Sequence, residues 1–308
     1  MSGGRDHLPT ERPNAAAADL DLLSTADAFA VLAAEDARVA SAVAAAKEEI
    51  VRAIELVAAR LGSGGRLLYV GAGTSGRLGV LDAVECPPTF GTDPSLVQGI
   101  LAGGPAALLG AVEGAEDSRA AGAAAVDAGA AGPRDVVFGI SAGGTTPFVH
   151  AALARARERG AATVFLACVP RETAPDDADL SIRVVTGPEV VAGSTRLKAG
   201  TATKMVLNAI STLAMVRLGR VHGNLMVDVD TRSSAKLRAR GGAILAQLTG
   251  LDPAAAAALL DRAGGRVKTA AVMHARGVEA AEAARLLAAA GGRLRAVLAP
   301  PGGANARE

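Results

Sequence analysis

The chain reads as a doubly wound α/β protein, a mostly parallel sheet flanked by helices with a small C-terminal helical module. Three observations predict this. Short apolar runs at 66–70, 95–100, 135–140, 162–167 and 180–185 are separated by stretches with the apolar spacing of helices. Two of those runs end in loops rich in glycine and hydroxyls that open a helix. Beyond residue 230 the strand-like runs stop and Ala/Leu/Arg-rich helical patterns take over. Strands that alternate with helices imply crossover connections and hence a parallel sheet. Such sheets gather ligands at the carboxyl ends of their strands.

Taken in order, residues 1–20 are polar with proline and read as a flexible arm. From Thr25 to Leu61 an Ala-rich amphipathic region keeps Glu48, Glu49 and Arg52 on its wet side. The five strand-like runs and their helices follow, and a long helix is predicted from Lys198 to Leu218. Residues 231–299 form the small module of three or four short helices, with breaks at the Gly-Gly pairs 241–242, 264–265 and 291–292. Thr249-Gly250-Leu251-Asp252-Pro253 places Asp and Pro at a helix start. Residues 300–308 are a tail, and 21–230 is the main domain.

Composition narrows the function. With 32 basic and 31 acidic residues the net charge is +1, so no broad field draws nucleic acid or an anionic membrane. Aromatics are 2% of the chain and tryptophan is absent, which removes base-stacking surfaces. Mean hydropathy is +0.30, but it comes from dispersed Ala and Val. No uncharged apolar run reaches the roughly 20 residues of a membrane span; 205–216 has the length of a buried core helix. The N-terminus, with Arg5, Asp6, Glu11 and Arg12, lacks the apolar core of a signal peptide. Cys86 and Cys168 make neither a disulfide framework nor a zinc pattern. A cytoplasmic enzyme without nucleic-acid or membrane partners is expected.

The chemistry concentrates in two loops. Strand 66–70 runs into Gly71-Ala72-Gly73-Thr74-Ser75-Gly76-Arg77, and strand 135–140 into Ser141-Ala142-Gly143-Gly144-Thr145-Thr146-Pro147. Loops of this kind present N–H groups and hydroxyls at the positive end of a helix dipole, where a phosphate is stabilised without a metal. Each loop by itself also reads as a tight βα turn; two in one sheet favour a phosphorylated small molecule held by both. Residues 71–76 fit the G-x-G-x-x-G spacing, but the next strand ends near Leu101-Ala102-Gly103-Gly104 without the carboxylate of a dinucleotide site.

Five segments carry a family resemblance: the Gly-Ala-Gly-Thr-Ser-Gly-Arg loop, Glu-Cys-Pro-Pro-Thr-Phe-Gly at 85–91, Val-Glu-Gly-Ala-Glu-Asp-Ser at 112–118, Gly-Ser-Thr-Arg-Leu-Lys-Ala-Gly-Thr at 193–201, and Gly-Asn-Leu-Met-Val-Asp at 223–228. Together they resemble N-acetylmuramic acid 6-phosphate etherases from about residue 8 to 300. The resemblance implies a sugar isomerase (SIS) domain that binds a phosphorylated amino sugar, a helical C-terminal module and a homodimer. It implies cleavage of the D-lactyl ether of N-acetylmuramic acid 6-phosphate in peptidoglycan recycling. It implies no metal and no organic cofactor.

By that resemblance Glu85 is the principal acid/base residue and Glu116 the second catalytic carboxylate. The residues themselves leave other readings open. Glu85 fits a solvated helix end, although its compact, little-charged neighbourhood would favour a raised pKa. Glu116 competes with Glu113 and Asp117, which together could be a charged helix start. The phosphate ligands carried over are Thr74, Ser75, Ser141, Gly143, Gly144 and Thr146. Gly143 stands where many SIS domains have a serine, and Thr145 where etherases often carry a larger residue, so one hydroxyl is lost. Ser194, Arg196 and Lys198 read as completing the site from the start of the long helix, or as a helix start capped by Ser194 or Thr195. His150, His222 and His274 lack metal-ligand spacing and read as structural, as does Cys86. A phosphosugar aldose–ketose isomerase and a phosphosugar sensor like the glucokinase regulatory protein share the fold. The long etherase-like span around Glu85 and Glu116 disfavours the first, and the regulatory protein's much greater length and second SIS domain disfavour the other.

Overall fold

The structure is a computed structural model that describes residues 7–298; the tail at 300–308 and the first six residues of the predicted arm lie outside the described residues. The described residues divide into two compact units, residues 7–84 with 95–212, and residues 85–94 with 213–298. This differs from a single boundary at 230/231: residues 85–94 group with the C-terminal part.

The first unit holds a parallel sheet of five strands among the described residues, β1 (Leu67–Gly71), β2 (Val97–Leu101), β3 (Val136–Ile140), β4 (Ala162–Ala167) and β5 (Leu180–Arg183). Their order is β2-β1-β3-β4-β5. β1, β3 and β4 are buried along their whole length, as expected for strands covered on both faces, while β2 and β5 form the half-exposed edges. Every predicted run became a strand, within two residues at each end.

Three helices precede the sheet. The amphipathic region at 25–61 is broken into α1 (Thr25–Asp36), α2 (Val39–Ala45) and α3 (Lys47–Gly62). Ser24 caps α1 by accepting the Asp27 N–H. α3 buries Ile50, Ile54, Val57 and Leu61 at helical spacing and leaves Glu48 and Arg52 exposed. α4 (Gly73–Phe90), α5 (Ala106–Leu109), α6 (Arg119–Ala128), α7 (Pro147–Glu158) and α8 (Lys198–Arg217) connect or follow the strands. α7 buries Phe148, Val149, Ala152, Leu153 and Ala156, one stripe that packs with Leu68, Val70 and Phe165 of the sheet.

Residues 7–20 depart from the picture of an arm. Leu8 is 1% exposed and joins the same core cluster, Thr10 is fully buried, and Asn14 donates to Glu35 at 2.9 Å and to the Pro188 carbonyl at 3.2 Å. An apolar residue among polar neighbours was enough to seat the segment.

Two polar clusters hold the first unit. At the start of β1 and β3, Asp135 accepts the Arg66 N–H at 2.8 Å, the Gly132 N–H at 3.0 Å and the Arg66 guanidinium at 2.7 Å. Burial raises the Asp135 carboxyl, but these partners hold it below the ordinary range. Midway along, buried Asp82 of α4 accepts from the Tyr69 hydroxyl of β1 at 2.9 Å and from Asn208 and Ser211 of α8 at 2.6 and 3.1 Å.

The second unit has its own apolar core, including Leu245, Leu260, Val267, Val272, Ala283 and Leu294. These come from α9 (Ala235–Thr249), α10 (Pro253–Arg262), α11 (Val267–Arg276), α12 (Ala280–Ala289) and α13 (Leu294–Leu298). Asp252 caps α10 as predicted, accepting from Ala254 and Ala255, with Pro253 in its first turn. The Gly-Gly pairs at 264–265 and 291–292 break helices. The pair at 241–242 does not: it lies inside α9, where Gly241 allows close packing, since a Cβ there would stand 2.5 Å from Thr231 Cγ2. In this unit Asp228 pairs with Lys268 at 2.5 Å and Arg220 at 3.5 Å, and the Pro88 carbonyl accepts the Asp230 N–H at 3.2 Å. An ideal Cβ on Gly91 would stand 2.4 Å from the Asp228 carbonyl oxygen, so the resembling segments 85–91 and 223–228 meet there. Among the described residues no single helix is long and apolar enough to cross a membrane.

Replacing Asp82 with Ala removes one acceptor shared by the Tyr69 hydroxyl, the Asn208 amide and the Ser211 hydroxyl. Urea denaturation of Asp82→Ala is expected to show a loss of about 2–4 kcal/mol.

Candidate functional site

The sheet reverses direction of growth at β1. The chain moves from β1 outward to β2, then returns to place β3 on the other side of β1. Ligands of open α/β sheets bind at such a switch point, outside the carboxyl ends of the strands. In register, Gly71 at the end of β1 pairs with Ile140 at the end of β3. The two glycine loops consequently emerge side by side.

In the first loop α4 begins at Gly73, two residues after the strand. This abrupt turn needs glycine twice over. A Cβ on Gly71 would lie 2.7 Å from Gly76 N, and one on Gly76 would lie 2.5 Å from Gly71 O. Thr74 and Ser75 sit half-buried in the first turn, where backbone N–H groups lack intrahelical partners and the dipole is positive. Arg77 is directed elsewhere, donating to the carbonyls of Ala107 and Gly110 at 2.9 Å each.

In the second loop Ser141 is buried and its Oγ lies 2.8 Å from Thr146 Oγ1. Ser141 Oγ also accepts the Thr146 N–H at 3.3 Å. Ser141 can then donate its own proton to Thr146, which frees the Thr146 hydroxyl to donate to a ligand. Thr146 is the N-cap residue of α7 and makes no side-chain cap bond, so its hydroxyl is not spent on the helix. Gly144 has a φ of +77°, the left-handed region that favours glycine. Its carbonyl accepts from His150 Nε2 at 2.7 Å, which gives His150 the structural role expected of it.

The third cluster divides. Ser194 is half-buried in a turn and Arg196 is exposed. An ideal Cβ on Gly200 would stand 3.6 Å from Thr74 Cγ2, so the start of α8 lies beside the first loop. Lys198 does not serve as a phosphate ligand: it is 1% exposed and its Nζ is paired with Glu35. That Lys198 bond, working against burial and aided by Arg38 and Asn14, holds the Glu35 carboxyl down to about 2. Nor do Ser194 or Thr195 cap the helix. The carboxylate of Glu189, fully buried, accepts the N–H groups of Lys198 and Ala199 at 2.9 Å each. Burial pushes the Glu189 carboxyl up while those two N–H groups pull it down.

The two predicted carboxylates have different settings. Glu85 is exposed, because the buried stripe of α4 runs through Asp82, Ala83, Cys86 and Phe90; its neighbours in sequence do not enclose it as expected. Glu116 lies in a 3₁₀ turn, Ala115–Asp117, packed against α7. It is half-buried, whereas Glu113 and Asp117 are exposed, a distinction the sequence leaves open.

Comparison with known proteins fits this geometry. The glucokinase regulatory protein N-terminal SIS domain model matches residues 49–157, and the SIS domain model matches residues 116–213. A relative from Gloeobacter violaceus is 60% identical over 270 residues, 88% of each chain, and is named N-acetylmuramic acid 6-phosphate etherase. The chain belongs to the N-acetylmuramic acid 6-phosphate etherase family. Relatives of the same name from Thermosynechococcus vestitus, 57% identical over 88% of this chain and 87% of that one, and Crocosphaera subtropica, 55% identical over 88% of each, agree. The chain is also similar to a solved protein from E. coli CFT073, with a TM-score of 0.46 and 17% identity over 66% of this chain and 97% of that one.

Sequence reasoning missed the buried carboxylates Glu35, Asp82 and Glu189, which organise the etherase-family fold around the loops. The available signal was an acid inside an otherwise apolar stretch, as at Asp82 and Glu189; Glu35, followed directly by Asp36, offered none. Cys168 is buried and its thiol pushed up to about 12 by burial, so it offers no thiolate. Among the described residues no three His, Cys, Asp or Glu side chains gather as metal ligands.

Because the folded Glu35 carboxyl titrates at about 2 against an ordinary 4.5, its contribution to stability is fully present above about pH 4.5 and is lost as pH falls toward 2. Acid unfolding of Glu35→Gln is expected to show a flatter limb across that window. Lys198→Met leaves a buried carboxylate without its main partner and is expected to cost about 3–5 kcal/mol in denaturant unfolding.

Proposed function

We infer that this protein cleaves the D-lactyl ether of N-acetylmuramic acid 6-phosphate, giving N-acetylglucosamine 6-phosphate and D-lactate. The observation that carries the reading is 60% identity across 88% of the chain to a named etherase. The two adjacent loops, whose hydroxyls, N–H groups and helix dipoles suit a phosphate, support it.

The phosphate rests between the Thr74–Ser75 turn and the Ser141–Thr146 loop, with Gly143 contributing its N–H group and Ser194 and Arg196 bordering the site; the Gly144 N–H donates to the Ser141 carbonyl at 2.9 Å and shapes the loop instead. Opening of the sugar ring exposes a C1 aldehyde, which acidifies the proton at C2. A base removes that proton, the C3–O bond breaks, and a C2–C3 double bond forms while the departing lactate oxygen takes up a proton. Water then adds: its oxygen joins C3 and a proton returns to C2. Glu85 exchanges protons with the sugar and Glu116 activates the water. A carboxyl positioned for each transfer contributes on the order of 10²–10⁴ in rate. The catalytic groups are acids and bases, not a nucleophile. The protein acts in the cytoplasm as a homodimer in peptidoglycan amino-sugar recycling.

Incubation of the purified chain with N-acetylmuramic acid 6-phosphate is expected to release D-lactate. Glu85→Gln is expected to lower kcat by about 10² or more with product binding retained; unchanged turnover would remove Glu85 from the mechanism. Ser75→Ala is expected to weaken binding by about 1.5–3 kcal/mol, the scale of one hydrogen bond to a charged group. A defect in kcat with normal affinity would contradict its phosphate role.

A further inference from the structure

The segment before α1 brings an unassigned hydroxyl to the second glycine loop. Leu8 anchors the segment in the core, and the Thr10 carbonyl accepts the Gly193 N–H at 3.0 Å. Thr10 is thereby fixed between the loop at 141–146 and the turn that carries Ser194. Thr10 is completely buried, and its Oγ1 has no hydrogen-bond partner among the described residues. Buried polar side-chain atoms are bonded in the large majority of cases, and an unmet hydroxyl weakens the fold. Its placement identifies what it serves. An ideal Cβ on Gly143 would stand 3.8 Å from Thr10 Oγ1 and 3.5 Å from Leu8 Cδ1. A side chain at 143 would thus project toward the Leu8 methyl and the Thr10 hydroxyl, both at van der Waals distance.

Gly143 is not required by its backbone. Its φ lies outside the left-handed region, unlike that of Gly144, and a Cβ there makes only ordinary contacts. In this chain the loop lacks a hydroxyl at 143 and a hydroxyl from another segment stands beside the gap. We propose that Thr10 is a substrate-binding residue whose hydroxyl bonds an oxygen of the sugar phosphate at the Gly143–Gly144 loop, in place of a side chain at 143. This rests on the phosphosugar reading above. The oxygen is shut from solvent in the unliganded chain, so a bond to the sugar phosphate requires the Gly143–Gly144 loop to shift on binding. The orphan hydroxyl costs stability without ligand and repays it on binding.

The test is Thr10→Val, which keeps the shape and removes the hydroxyl. The KM for N-acetylmuramic acid 6-phosphate and the Kd for N-acetylglucosamine 6-phosphate by calorimetry are expected to rise about tenfold or more, with most of the loss in KM and not kcat. The melting temperature without ligand is expected to stay level or rise, because an unmet buried donor has been removed. A purely structural Thr10 would instead lower the melting temperature and leave Kd unchanged, which would overturn the proposal. Gly143→Ser added to Thr10→Val is expected to recover affinity to within about threefold of the original; no recovery alongside unaltered Kd in Thr10→Val also overturns it. A wild-type chain that binds the phosphosugar without releasing D-lactate sinks the etherase reading and keeps Thr10 under test by Kd. A wild-type chain that binds no phosphosugar overturns both.

Discussion

The pairing of β1 with β3 is the constraint on which the site depends. Strands joined in sequence would place their loops one after another along the sheet. Here the return past β1 sets two loops, about 70 residues apart, at one spot. Register matters because a slip of one residue exchanges the faces of a strand. It is fixed at the opposite end of the sheet by Asp135, which takes the Arg66 backbone, the Arg66 side chain and the Gly132 N–H. A polar clamp at the amino ends thus places hydroxyls at the carboxyl ends.

Charge is used sparingly around the loops. The long basic side chain nearest to the expected role, Lys198, is committed to Glu35, and Arg77 is committed to two carbonyls. The starts of α4 and α7 offer neutral donors, the hydroxyls of Thr74, Ser75 and Thr146 and the loop N–H groups. Such groups are held in place before the ligand arrives, so little ordering is needed on binding. The start of α8, by contrast, is closed by Glu189 from within the protein. The first turn of α8 is thereby satisfied by a carboxylate of the chain itself.

The second unit explains why two distant resembling segments go together. Residues 85–94 belong to it, joined through the Pro88 carbonyl and the Asp230 N–H, while Asp228 draws in Lys268 and Arg220. In segment 223–228, which carries part of the family resemblance, Val227 is buried in the unit's core while Gly223 and Asn224 stay exposed. The exposed face of α4 leaves Glu85 as a carboxylate standing clear of its own helix's buried stripe.

The sequence by itself determined the five strands, the two glycine loops and the helix start at Asp252-Pro253, because strand periodicity, Gly φ freedom and capping are local properties of a few residues. It also carried the family through long ordered motifs. It did not reveal which of Glu113, Glu116 and Asp117 is sheltered, nor that Lys198 pairs with Glu35 and that Glu189 caps α8. Those facts join residues up to 163 positions apart, and no local rule relates them. The break expected at Gly241-Gly242 went the same way: glycine ends a helix where the chain must turn, but permits one where another chain segment presses close. Thr10 belongs to this second class, since a polar residue near the chain start looks like solvated arm until Leu8 carries it into the core. Burial decides what a polar side chain can do, and burial is a property of the assembled tertiary structure.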